Sequence, residues 1–246
     1  MKSLNQASKK LFLSIAVLLL FADLDGYAQT NKDSLKILFV GNSYTYYEQM
    51  PKMVAHISNG TQTKLITQRS APGGARLREH WLGLRGMKTK ELIRKGNFDI
   101  VVLQGQSMAA LRRPDTLKKY AKLFSSFIKR HNAKPYFYGT WARESTPKLQ
   151  KNITRVYTEI ASSNKGVFVP VGEAWAYARK LRPTIRLYAR DGSHPNKLGA
   201  YLTASVFVAT ILSEIPKKSD NVKGLFPADK RDILFCKKVA RRFIQM

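Results

Sequence analysis

The chain has 246 residues, 44% of them hydrophobic, which suffices for one α/β domain with a full core and excludes a disordered chain. Lys and Arg number 43 against 16 Asp and Glu, a formal net charge of +27; a field of that size favours anionic partners such as acidic glycans, lipopolysaccharide or phospholipid surfaces, or is general surface charge without a partner. The single cysteine, Cys236, excludes an intramolecular disulfide, and with four widely separated His it forms no structural zinc pattern.

The N-terminus reads as a targeting segment. Lys2, Lys9 and Lys10 precede an apolar run, Leu11 to Ala22, and Gly26-Tyr27-Ala28 places small residues where a signal peptidase cuts. The run is short against the roughly 20 residues that span a bilayer, so residues 1–28 are expected to be a cleaved signal peptide. No Cys follows the run to carry a lipid, and no second long apolar segment exists. The mature chain is therefore expected to be exported, periplasmic or secreted, without a transmembrane segment. Export and the lack of any basic block interleaved with aromatics make nucleic acid an unexpected specific target.

The mature chain alternates strand and helix. Lys36 to Gly41 is an apolar run ending in Gly, predicted as a buried strand and turn; Glu48 to Ser58 places Met50, Met53, Val54 and Ile57 at helical spacing. Lys64 to Arg69 alternates as a strand does, and Lys88 to Lys95 is a short helix. Asp99 to Gln104 is a second buried strand. Asp115 to Arg130 is a long helix with Leu117, Tyr120, Leu123, Phe124, Phe127 and Ile128 on one stripe. Strands at Pro135–Thr140 and Gly166–Val169 follow, with helices at Pro147–Ser162, Gly172–Leu181, Asn196–Leu212 and Ala228–Phe243. Continuous apolar strands separated by helices predict a parallel sheet covered on both faces. Ligands of such sheets sit beyond the carboxyl ends of the strands.

Chemistry-bearing residues stand at those ends. Gly41-Asn42-Ser43-Tyr44-Thr45 follows the first strand, so Ser43 is either an exposed nucleophile on a strand-to-helix turn or a helix N-cap. Asp191-Gly192-Ser193-His194-Pro195-Asn196 precedes a late helix. Asp and His three residues apart can meet across one turn, where the carboxylate fixes the imidazole tautomer and the imidazole takes a proton from a Ser hydroxyl; a capped turn is the other reading.

Together the two motifs resemble the SGNH/GDSL hydrolases, in which a nucleophilic Ser follows the first strand and a D-x-x-H motif comes near the end. The family's Gly-Asp-Ser is here Gly41-Asn42-Ser43. The blocks GNSYTYY, PGGARL, VVLQGQS, TWARE, PVGEAW and LYARDGSHPN, in one order, are similar to an uncharacterised bacterial branch of that superfamily. The resemblance implies a single domain over residues 29–246: a three-layer α/β/α sandwich with a central, mainly parallel five-stranded, flavodoxin-like sheet. It implies a serine esterase with Ser43, His194 and Asp191 as catalytic residues and no cofactor or metal. Pro72-Gly73-Gly74-Ala75 matches the family's Gly block, so Gly74 with the Ser43 N–H is expected at the oxyanion hole. The family's Asn after the third strand is absent. Gln104 or Gln106 stands there instead, and the choice between them depends on the turn.

Asn42, Trp141 and Arg190 are further candidates for substrate contact, with a core or interface role equally open for Trp141; Arg143 and Arg190 are either ligands of an anionic group or solvated side chains. For His80 a structural role and a place along the cleft are both open. The expected substrate is an ester, such as an O-acetyl or other short acyl group on a glycan or cell-envelope polymer. Lipid-ester hydrolysis and non-catalytic glycan binding on a degenerate hydrolase fold are the rival readings. Oligomeric state has no sequence signal.

Overall fold

The structure is a computed structural model, and it describes residues 33–216 and 229–244; the expected signal peptide, 1–28, lies outside them. Five strands, β1 (Ser34–Val40), β2 (Lys64–Ser70), β3 (Ile100–Leu103), β4 (Lys134–Tyr138) and β5 (Val167–Val169), form one sheet in the order β2-β1-β3-β4-β5. Every neighbouring pair is parallel. Among the described residues the helices are α1 (Ser43–Tyr46), α2 (Met50–Ser58), α3 (Leu77–Leu82), α4 (Thr89–Lys95), α5 (Ala109–Arg112), α6 (Pro114–Arg130), α7 (Gln150–Ser163), α8 (Val171–Leu181), α9 (Lys197–Leu212) and α10 (Lys230–Arg241).

The strand pleat divides the core into two. Ile37, Phe39, Ile100, Val102, Tyr136, Tyr138 and Val169 point to one face, where they meet α2, α8, α9 and α10. Leu38, Val40, Val101, Leu103 and Phe137 alternate to the other face, packing on α3, α4, α6 and α7. Strands buried on both sides need apolar residues at every position, which explains the unbroken ILFV and IVVL runs. Each large apolar side chain so buried contributes about 1.5–3 kcal/mol relative to exposure.

Helix α6 shows the one-sided case: Pro114 starts it, and Leu117, Ala121, Phe124 and Ile128 are buried while its lysines face solvent. Helix α9 shows the other: Gly199 to Thr210 is buried throughout, because α2, α8 and α10 surround it. The result is a three-layer α/β/α sandwich. The predicted mainly parallel sheet proves wholly parallel among the described residues.

The strand order matters for function. From β1 the chain moves outward to β2, then returns past β1 to β3, so successive connections diverge between β1 and β3. Such switch points leave a crevice at the carboxyl edge. Ser43 follows β1 and Gly105 follows β3, one on each side of it.

Candidate active site

Ser43 opens α1, with Asn42 as its N-cap; the Asn42 side chain accepts the Tyr44 N–H at 3.1 Å. The Ser43 hydroxyl is thereby left out of the cap and points across the crevice. The loop before α9 meets it there: His194 Nε2 lies 2.9 Å from Ser43 Oγ, and His194 Nδ1 lies 2.5 Å from Asp191 Oδ2. A carboxylate only accepts, so the Nδ1 proton belongs to the imidazole. The Nε2 lone pair is then the acceptor facing the serine O–H.

Asp191 divides its two oxygens between structure and orientation. Oδ1 accepts the N–H groups of Ser193 and His194 at 3.0 and 2.9 Å, closing the turn, while Oδ2 holds the imidazole. Both sequence readings of this motif, capped turn and oriented dyad, are therefore present in one residue. Partial burial pushes the Asp191 pKa up, but the hydrogen bonds from the His194 ring and the Ser193 and His194 backbone outweigh it and hold the carboxyl down at about 2.

Aromatic rings and the loops set the imidazole's position. Tyr47 stacks on His194 at 4.4 Å and Tyr44 meets it edge-on at 5.5 Å. The Tyr44 hydroxyl shares a hydrogen bond with Ser193 Oγ at 2.7 Å, and the Trp141 indole N–H donates to the Ser193 carbonyl at 2.9 Å. The Glu144 N–H donates to the Gly192 carbonyl at 2.9 Å, joining the loop after β4 to the Asp191–His194 turn. Sequence reasoning missed Tyr44, Tyr47 and Ser193. The signal was the run of tyrosines directly behind Ser43.

Two expected substrate contacts, those of Asn42 and Trp141, are corrected. Asn42 was expected to touch substrate; it is 2% exposed, and its Nδ2 donates to the Ala75 carbonyl at 2.9 Å. It anchors the Gly block to the serine turn instead. Trp141 was expected along the substrate pocket; it is 2% exposed, its ring sandwiched between Tyr44 at 4.7 Å and Trp175 at 4.0 Å. Arg190 is exposed beside Asp191, without a hydrogen bond or ion pair among the described residues. His80 is fully buried. Its Nε2 lies 2.8 Å from the Gly41 carbonyl, which can only accept, so Nε2 carries the proton and Nδ1 accepts from Thr89 Oγ1 at 2.7 Å. Burial lowers its pKa, against the opposing pull of the Gly41 carbonyl.

The two Gln candidates separate sharply. Gln104 is fully buried; its Oε1 accepts from the Asn42 N–H at 2.9 Å and from Thr45 Oγ1 at 3.0 Å, while its Nε2 donates to the Gly105 carbonyl. The expectation of an oxyanion donor there is corrected: this amide is spent on the chain itself. The fit is close, since a Cβ on Gly41 would stand 2.4 Å from Gln104 Oε1. Gln106 is half-buried, and among the described residues its Nε2 has only Ser107 Oγ, at 3.0 Å, as partner. The N–H groups of Ser43 and Gly74 have no partner among the described residues, and Gly74 holds a φ of 67°, the left-handed region that favours glycine.

This fold, with its serine turn after β1 and its Asp-x-x-His turn before α9, is that of the SGNH/GDSL-like hydrolase superfamily. The chain is similar to a protein from Slackia heliotrinireducens assigned as an SGNH hydrolase, with 26% identity, coverage of 71% of this chain and 97% of that one, and a TM-score of 0.59. A DUF4886 family protein from Bacteroides uniformis aligns over 85% of this chain and 94% of its own, with 15% identity and a TM-score of 0.69. An acetyl-xylooligosaccharide esterase variant from Geobacillus shares the fold at 14% identity and a TM-score of 0.54, over 71% of this chain and 92% of its own. No protein-family model matches the chain, and no curated protein matches it in sequence.

Proposed function

We propose that the protein is an exported serine esterase that removes an O-acetyl or other short acyl group from a glycan or cell-envelope polymer. The observation that carries the reading is the continuous hydrogen-bonded chain Ser43 Oγ, His194, Asp191 at the switch point of the sheet. The fold it shares with SGNH hydrolases and esterases supports the reaction class.

Two steps complete the reaction. Ser43 Oγ attacks the ester carbonyl as His194 Nε2 takes its proton, and Asp191 stabilises the imidazolium that forms. The N–H groups of Ser43 and Gly74, with the Gln106 amide, donate to the developing oxyanion. The imidazolium returns its proton to the leaving alkoxide. Water, deprotonated by His194, then cleaves the acyl-enzyme and restores the serine. No step calls on a metal or cofactor.

Export rests on the basic and apolar pattern of residues 1–28. No helix among the described residues is long and apolar enough to cross a membrane. Labelling of the protein with a serine-directed fluorophosphonate, followed by peptide mass analysis, tests the reading. One adduct on the peptide carrying Ser43 is expected. Absence of labelling, with binding of acetylated glycan retained, would favour a non-catalytic binder instead.

A further inference from the structure

Beside the candidate active site lies a cleft of about 200 Å³ whose wall carries Arg76, Arg78, Arg112, Arg113 and Arg143. That volume equals six or seven waters at about 30 Å³ each, room for a charged group and part of the ring that bears it. The cleft has no acidic residue and no lysine in its lining. Lysines outnumber arginines 26 to 17 in the chain, so a wall of arginine alone does not follow from bulk charge. The five side chains come from three separate places: the turn after β2 and the start of α3, the α5–α6 segment after β3, and the loop after β4. None of them forms an ion pair among the described residues, although the salt bridges described there engage other arginines of this chain, such as Arg155, Arg182 and Arg231.

All five side chains are exposed, so water and salt screen their repulsion, and an anion seated among them relieves what remains. Guanidinium groups suit an oxyanion with two or more oxygens, because each presents a planar fork of N–H donors. The cleft is tied to the reacting centre through residues of its lining. Gln106, whose amide is directed to the oxyanion in the mechanism above, lines it. Arg143 acts electrostatically on Tyr44, which contacts His194. Asn42 Nδ2 ties the Ala75 carbonyl, one residue from Arg76, to the serine turn.

We propose that this cleft is an anion-binding subsite, and that the ester substrate carries a carboxylate or phosphate on its alcohol part, seated among these arginines while the acyl group lies at Ser43. The proposal rests on the esterase reading for its reaction and on the arginine cleft for its substrate class.

The test compares matched acetyl esters: an acetylated methyl galactoside with the corresponding galacturonide, and acetylated glucose with acetylated glucose 6-phosphate. The charged member of at least one pair is expected to show a kcat/KM about tenfold higher, mainly through KM, as two well-placed guanidinium contacts allow. The galacturonide and phosphate arms tell carboxylate from phosphate recognition. Replacing two cleft residues, Arg112→Gln with Arg143→Gln, is expected to abolish the preference. A charge-matched control on the exposed face of α6, Lys119→Gln with Lys122→Gln, is expected to keep it. Equal loss in both variants would assign the preference to the general field of the protein and overturn the subsite, as would equal rates on both members of each pair. If the wild type cleaves none of these esters and takes no fluorophosphonate label at Ser43, the esterase reading fails, and calorimetry on Ser43→Ala still decides the cleft. Tighter binding of the charged esters, lost on adding the two Arg substitutions, supports it; equal binding of charged and neutral esters refutes it.

Discussion

Gln104 Oε1 accepts the backbone N–H of Asn42 at 2.9 Å, so the end of β3 holds the residue just before the candidate nucleophile. Replacing Gln104 with Leu leaves the buried Asn42 N–H and the Thr45 hydroxyl without this partner. A loss of about 1–3 kcal/mol in unfolding free energy is expected, measured by urea denaturation. Gln106→Ala, by contrast, is expected to leave stability within about 0.5 kcal/mol and to lower kcat by about 10²–10³, the usual effect of removing one oxyanion donor. A Gln106→Ala enzyme with unchanged kcat would remove that residue from the site.

The division between these two residues shows where sequence reading stops. The apolar strands and the long helices were legible, because burial on both faces writes unbroken runs and one-sided burial writes a stripe. Helices α1, α3 and α5, of four to six residues, were not predicted, since so short a segment holds no periodicity. Ser43, Asp191 and His194 were singled out by their places in the chain, and the fold brings them within hydrogen-bonding distance. Asn42, Gln104 and Trp141 looked like cleft residues because each follows a strand. Which way a side chain turns after a strand depends on the loop's dihedral angles, and those residues turn inward. The arginine cleft was legible only in part: Arg143 was a candidate for an anionic group, but its four companions are scattered in sequence and meet only in the fold.

Asp191→Asn should separate orientation from charge. An amide donor facing Nδ1 favours the tautomer with the proton on Nε2, which cannot accept from Ser43. A fall in kcat of about 10⁴ is expected, with KM little changed. The same residue predicts an acid response. Its folded pKa, about 2, lies below the ordinary 3.8, so the stability it contributes is present above about pH 4 and is lost as pH falls toward 2. Because the carboxylate is half exposed, the effect is small. Thermal melting between pH 5 and 2 is expected to fall less steeply in Asp191→Asn than in wild type.

His80 predicts a pH effect of its own. The folded protein holds this buried imidazole neutral, between Gly41 and Thr89, whereas the unfolded chain protonates it below about pH 6.5. The unfolded state thus binds more protons in that range, and stability falls as pH drops below about 6.5. A His80→Gln variant is expected to be less stable at pH 8 but to lose less between pH 7 and 5. Identical slopes in both proteins would mean that His80 does not report on pH.

The most direct measurement is p-nitrophenyl acetate hydrolysis by the mature protein from Gln29 onward, beside its Ser43→Ala variant. Hydrolysis by the wild type that falls by at least about 10³ in the variant, with unchanged thermal melting, is the predicted result. Equal hydrolysis by both proteins would contradict Ser43 as the nucleophile.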